Sequence, residues 1–270
     1  MLATASVPHV AAKTNFNVVG KQMLIMLRNS HYERLNIDDL GVRFFDTYIK
    51  SLDGNKQYFL ASDIDMLNAK YGANLHELLL DEQCMTPAEE IYNLYRKRAN
   101  ERIKYAQELL KDDSSFTFES DREVILDREK AEWPVSDEEA KQIWKDQVEQ
   151  ALLSEFLRRE SVADLAAKQG KADPLKDKKL PGEMISLRYE RILKSINSAD
   201  EEDIADRFFS AIAKSYDPHT DYFSMSEMER FMAGMKNSLV GIGALLQAED
   251  DGSTKITGIV VGGPADKEGS

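Results

Sequence analysis

The chain has 270 residues, 42% of them apolar and 31% charged, and its 48 acidic side chains outnumber 35 basic ones for a formal charge of −13. That length and composition describe a folded globular chain of one or two domains and exclude a disordered one. The charge argues against nucleic acid or an anionic membrane surface as the main partner, because phosphates would be repelled.

Cys84 is the only cysteine. An internal disulfide and a cysteine-held zinc site are therefore ruled out. His9, His31, His76 and His219 stand at no metal-ligand spacing, and no cofactor or metal is expected. The apolar runs fall far short of a membrane span. The opening "MLATASVPHVAAKTN" lacks a basic n-region and a solid apolar stretch. It reads as a loose terminus over 1–15, with the trimmed end of a secretion signal as the other reading.

Residues 16–217 read as helix after helix. In "NFNVVGKQMLIMLRNSHY", Val18, Val19, Met23, Met26 and Leu27 recur at helical spacing and predict a first buried stripe. "DDLGVRFFDTYIKSLD" predicts a second, with Leu40, Phe44, Phe45, Tyr48, Ile49 and Leu52 inward. "SDIDMLNAKYGANLHELLL" opens with Ser62 three residues before Asp65, the spacing of a capping box. At "TPAEE", Thr86 reads as the cap, Pro87 as a first-turn residue and Glu89 as the side chain that reaches back. Ile91, Leu94, Tyr95, Ile103, Ala106 and Leu110 then share one face.

A polar stretch ends at Pro134, and Ser136 with Glu139 caps the next helix. Its inward residues are Ala140, Ile143, Trp144, Val148, Leu152 and Phe156, and both tryptophans, Trp133 and Trp144, read as core or helix-docking residues. Residues 168–182, "KQGKADPLKDKKLPG", read as a loop with solvated lysines. Helices resume in "EMISLRYERILKSI" and "SADEEDIADRFFSAIAKSYD", where Ser198 and Glu201 form another box. A last helix starts at Ser224 and Glu227. It carries Met225, Met228, Phe231, Met232 and Met235 on one stripe, either for packing or as a pliable surface for apolar tails. No period recurs, which argues against a solenoid. The fold class is mainly α, with a multi-helix domain over 16–235.

After Asn237 the chain turns rich in glycine and β-branched residues. "GALLQAE" and "TKITGIVV" predict two strands joined by an "EDDGS" turn, and "GGPADKEG" opens a short helix. Two strands alone do not hold together in water, so 236–270 reads as the beginning of a second, truncated, mostly β domain. At its head, Val240, Gly241, Ile242 and Gly243 can turn successive N–H groups to one side and form an anion nest. A peptide carboxylate fits there, the tail adding as a strand from Ala244 onward, with Leu239, Ile242 and Leu246 lining a pocket for its last side chain. A tight strand-entry turn is the plainer reading of the same glycines.

Just upstream, "YDPHTDY" invites a catalytic pairing of Asp217 with His219. The chain has no G-x-S-x-G run. Pro218, Asp217 and Thr220 suit a turn instead. Asp217, Pro218, His219, Thr220 and Tyr222 are therefore read as a structural junction between the helical domain and the strands.

Three sets of residues carry a family resemblance. "LVGIGA" at 239–244 followed by "VVGGPA" at 260–265 resembles the first third of a PDZ domain, in the variant of carboxyl-terminal processing peptidases. "DPHTDY" at 217–222 is similar to a signature of the same peptidases. "SHYERLNID", "FFDTYIKSLD", "YFLASDID" and "DREKAEWP" resemble the N-terminal helical domain of the tail-specific proteases. The resemblance implies a periplasmic or exported serine protease that takes proteins by their apolar free C-termini, with a Ser–Lys dyad in a later domain. On that basis the chain holds no catalytic residue and is expected to be inactive alone. Its expected partners are substrate tails and an adaptor or a second copy. The rival expectation is a non-enzymatic helical and PDZ scaffold that binds C-termini.

Overall fold

The computed structural model describes residues 13–32, 35, 40–119, 123–235, 242–248 and 254–268. Among them the helices are α1 (Phe16–Ser30), α2 (Leu40–Asp53), α3 (Ala61–Leu67), α4 (Leu75–Leu80), α5 (Met85–Leu109), α6 (Asp137–Lys168), α7 (Pro181–Ser198), α8 (Glu201–Tyr216), α9 (Met225–Met235) and α10 (Pro264–Glu268). Strands β1 (Ala244–Ala248) and β2 (Thr254–Ile259) form one antiparallel pair. The fold is mainly α with a short β region, as the sequence pattern predicts.

The core is built around α2, whose predicted face is buried in full: Leu40, Phe44, Phe45, Tyr48, Ile49 and Leu52. Each such side chain stabilises by about 1.5–3 kcal/mol when removed from water. α2 packs along α8, and α5 packs on α6, α7 and α8. On α1 the buried set is Phe16, Gly20, Met23, Leu24 and Leu27. The predicted stripe is thus rotated. Val18 and Val19 are half-buried and Met26 is 60% exposed, because α1 turns its Phe16–Met23–Leu27 line toward α4 and α8.

The helix starts correct three capping expectations. α3 is capped by Asp63, whose carboxylate accepts the Leu60 N–H at 2.9 Å, and not by Ser62 with Asp65. α5 begins one residue before Thr86. Asn17 of α1 accepts the Met85 N–H at 2.9 Å, so the cap is supplied from another helix. α7 continues through Ser198, and Asp200 with Asp203 forms the reciprocal box on α8, at 3.0 and 3.2 Å. Ser136 does cap α6. Its Glu139 reaches the Val135 N–H, one residue further back than predicted.

Polar groups tie the layers. The Asp53 carboxylate is buried and accepts the N–H groups of Gln57, Tyr58 and Phe59 at 2.8–3.0 Å. Burial pushes its pKa up, and the three donors pull against that shift. Arg98 on α5 grips Asp63 with two parallel bonds of 2.8 and 2.9 Å. Arg102, one turn on, holds Asp137 at the start of α6 at 2.8 Å. The Trp144 indole donates to the Gln57 carbonyl at 2.8 Å, which docks α6 on the same loop. Trp133 lies edge-on to Phe59 at 6.0 Å. Phe156, predicted inward, is 40% exposed. α6 has left the core by that turn, and the ring only edges against Phe118.

Among the described glycines, Gly41 makes the closest approach to the backbone of another segment. A Cβ there would lie 2.4 Å from the Ala73 carbonyl oxygen and 2.7 Å from His76 Nδ1. The first neighbour is backbone and has little room to yield. Gly41→Ala is therefore expected to lower unfolding free energy by about 1–3 kcal/mol, read as a lower urea midpoint at unchanged slope.

Candidate functional site

The junction after α8 is built by short-range geometry and one long-range contact. Asp217 leaves the helix in an extended conformation. Its Oδ1 accepts the backbone N–H of His219 at 2.7 Å, and its carbonyl accepts the Thr220 N–H at 3.2 Å. The Thr220 hydroxyl donates to Oδ2. Pro218, between them, has its φ fixed by its ring, which suits this turn.

The ring that reaches Asp217 is His31, not His219. His31 caps the end of α1, and its Nε2 lies 2.7 Å from Asp217 Oδ2 and 3.1 Å from Thr220 Oγ1. The two partners are 186 positions apart in the chain, and both side chains are only 10% exposed. Tyr216 meets the imidazole edge-on at 5.6 Å, and Tyr32 lies at 4.9 Å. The bond from Thr220, the N–H of His219 and the imidazole of His31 hold the Asp217 carboxyl down at about 2.

This cluster has the residue types of a catalytic triad without its arrangement. In a triad the imidazole stands between carboxylate and hydroxyl and takes the hydroxyl proton. Here one nitrogen faces both groups, and the hydroxyl donates to the carboxylate. The arrangement cross-links; it does not activate a nucleophile.

Further along, Ser210 donates to the Tyr222 carbonyl at 3.2 Å, and the Tyr222 ring sits edge-on to Phe209 at 5.2 Å. Ser224 is buried and caps α9, exchanging bonds with Glu227 at 3.2 and 3.3 Å. Past this point apolar groups face outward. Met225, Met228, Phe231, Met232 and Met235 are all exposed, by 40–77%. Phe231 stacks on the Phe223 ring at 5.4 Å, while the methionines of the stripe face outward.

Of the residues read as a carboxylate loop, Leu239, Val240 and Gly241 lie outside the described residues. Ile242 is 65% exposed, and its carbonyl accepts the Ala265 N–H at 3.0 Å. Gly243 has φ +76°, and its carbonyl accepts the Val260 N–H at 2.7 Å. A Cβ at Gly243 would stand 3.2 Å from the Gly263 Cα and 3.3 Å from Pro264, so both backbone angle and space call for glycine. The two glycine motifs seen separately in the sequence are thereby pinned to one another.

Ala244 opens β1 opposite Ile259, and Leu246 stands opposite Ile256. A bulge opposite Leu245 and Leu246 takes up Thr257, whose hydroxyl donates to the Leu245 carbonyl at 3.3 Å. Directly opposed residues share a face, so Ala244, Leu246, Ile256 and Ile259 form one apolar face. Leu246 and Ile256 are 59% and 62% exposed.

The family model of the tail-specific protease N-terminal domain matches residues 23–226. A curated relative, the tail-specific protease of Haemophilus influenzae, is 32% identical over 97% of this chain. The chain belongs to the tail-specific protease family. It spans 35% of the length of that relative. The family match runs from α1 to α9 and so takes in both halves of the His31–Asp217 contact. His31 was missed because nothing local marks it; its only signal was its place in the "SHYERLNID" block that resembles this family.

Because Asp217 is held low, its stabilising contribution is full above the ordinary carboxylate range and is lost as pH falls from about 4 to about 2. Thermal melts of wild type and Asp217→Asn should differ near neutrality and converge at the acid end. A gap that stayed constant down to about pH 2 would contradict the assignment.

Proposed function

We propose that this chain is the substrate-recognition portion of a tail-specific protease, a serine-type peptidase that binds proteins through their apolar, free C-termini. The whole enzyme is exported and works in the periplasm, and its Ser–Lys dyad belongs to a later domain. Membership of the family supports this reading, and the chain spans about a third of a relative that is named a tail-specific protease. Among the described residues no helix is long and apolar enough to cross a membrane.

Residues 236–270 begin a PDZ domain, and the carboxylate of the tail sits in a nest over Val240–Gly243. The single observation that carries this is the orientation of the Ile242 and Gly243 peptides. Their carbonyls point to Ala265 and Val260. In a planar trans peptide the N–H points the opposite way, so the N–H groups of Gly243 and Ala244 turn away from the hairpin. The positive φ at Gly243 suits the bend of a nest. β1 has a strand partner only in β2 among the described residues, which leaves its other edge for a peptide to extend the sheet. Leu239, Ile242 and Leu246 take the last side chain of the tail.

Asp217, Pro218, His219, Thr220 and Tyr222 act as the structural junction that holds this recognition unit to the helical domain. Binding of a tail favours the arrangement in which the later dyad is assembled, which requires tighter binding to that arrangement. The helical domain is also the surface for an adaptor or a second copy.

Two measurements check the reading. The full-length protein should cleave a protein with an apolar C-terminus, while the 270-residue chain alone should not; cleavage by the short chain would overturn the placement of the dyad. The full-length protein should also lose about 1.5–3 kcal/mol of binding, ten-fold or more in Kd, when a tail peptide is amidated. Equal affinity for acid and amide would rule out the nest and favour a scaffold that reads side chains only.

A further inference from the structure

The charge of this chain is not spread evenly. From Lys168 to Lys194 there are eight basic residues and four acidic ones, a net +4 within a chain of −13, leaving −17 on the rest. The stretch comprises the last residue of α6, the loop 169–180 and most of α7.

The loop is ordered by its own turns. Gly170 takes φ +66° past the end of α6, and the Lys171 N–H returns to the Ala166 carbonyl at 2.9 Å. The Asp173 carboxylate accepts the Leu175 N–H at 2.8 Å, and its carbonyl accepts the Lys176 N–H at 3.4 Å. Arg159 of α6 donates to the Lys179 carbonyl and ties the loop back to the helix. Lys176, Lys178 and Lys179 are held exposed on this frame. None of the three side chains makes an ion pair or a hydrogen bond among the described residues.

Beside the loop lies a cleft of about 440 Å³, between the end of α5 and the start of α7. Leu110 and Gly182 are buried and Leu187 is half-buried, so the floor is apolar. Lys111 and Lys179 are exposed and stand on the rim. The acids at hand are engaged. Glu183 accepts the Leu180 N–H at 3.1 Å and so caps α7, and Glu108 pairs with Lys111 at 2.7 Å. Leu180 stands in sequence between the lining residues Lys179 and Gly182 and is 64% exposed, which carries the apolar surface onto the loop.

We propose that this lysine-rimmed cleft is where an adaptor protein docks on the helical domain, through a segment that carries acidic residues beside large apolar ones. The apolar side chains enter over Leu110 and Leu187, and the carboxylates meet Lys176, Lys178 and Lys179. Charge complementarity selects this occupant. A basic segment would be repelled by the loop, whereas an acidic one gains charge-assisted hydrogen bonds from three ammonium groups. An anionic bilayer would bring its phosphates against the acidic remainder of the chain, and a second copy would bring two chains of −13 together. A slim acidic segment meets the basic stretch alone. The inference deepens the proposed function by giving the adaptor a surface and a chemistry, and rests on that reading only for the adaptor's role.

The probe is a fluorescent, C-terminally amidated, amphipathic peptide of leucine and glutamate, titrated with the full-length protein and read by anisotropy. The amide keeps it off the proposed carboxylate nest. Binding is expected to saturate and to weaken as salt is raised. Lys178→Glu with Lys179→Glu should weaken it about ten-fold or more, and both side chains are exposed and unpaired, so folding is not disturbed. Lys141→Glu with Lys145→Glu makes the same change of net charge on an exposed part of α6, and should leave the affinity within about two-fold. A glutamate–serine peptide should bind about ten-fold more weakly, because it has no group for the apolar floor. The proposal is overturned if the leucine–glutamate peptide does not bind, if both pairs of substitutions weaken it equally, or if the serine peptide binds as well. It is also overturned if the change at Lys178 and Lys179 leaves peptide affinity intact and instead abolishes binding to phosphatidylglycerol vesicles or dissociates a dimer in sedimentation. Loss of the acid-over-amide preference for tail peptides, with this peptide still bound at the cleft, would sink the nest alone; the converse would sink the cleft alone.

Discussion

Phe44 and Tyr48 on α2 meet Tyr216 and Phe208 on α8 along one aromatic seam, at 6.1 and 4.9 Å between rings. The seam is wholly buried, and the Tyr48 hydroxyl finds its partner in the Ala88 carbonyl of α5 at 3.0 Å. Three helices are thereby locked in register. Close-packed aromatic rings leave no room for α8 to slide, since a shift of one turn would open voids and strand that hydroxyl. Everything at the junction depends on this, because Tyr216 is the last residue of α8 and Asp217 the first beyond it.

From that fixed end the structure passes from dense packing to open surface within a few residues. Up to Ser224 the chain is anchored by side chains on α8. From Met225 onward the apolar residues of α9 and of the hairpin face outward. A two-stranded sheet with an uncovered apolar face is not stable alone. The exposed methionines of α9 are the adaptable kind of apolar surface. Both features support the proposal that this region is a recognition unit mounted on the helices.

Much of the helical architecture was legible because periodicity is a direct consequence of burial. The α2 face was read in full, since its strong 3.6-residue pattern allows one orientation. The α1 face was misread by part of a turn. Its residues are apolar over a wide arc, and only the neighbours α4 and α8 select which part goes inside. The caps read at Ser62, Thr86 and Ser198 failed, while those at Ser136 and Ser224 held. A serine or threonine at the right spacing is a local signal, but Asn17 caps α5 from another helix. At the junction, Asp217 and Thr220 were legible as a turn, while His31, 186 positions away, was not. The pinning of Gly243 against Gly263 was equally out of reach, because each glycine alone permits many turns.

The sequence by itself determined the class of fold, the order of helices before strands and the family, because hydrophobic period and motif spacing are properties of the linear chain. Only the tertiary structure decided which histidine meets Asp217, which helix caps which, and that the methionine stripe of α9 stands exposed among the described residues. Those are matters of which surfaces meet. They depend on packing between segments far apart in the chain, and no local pattern encodes them.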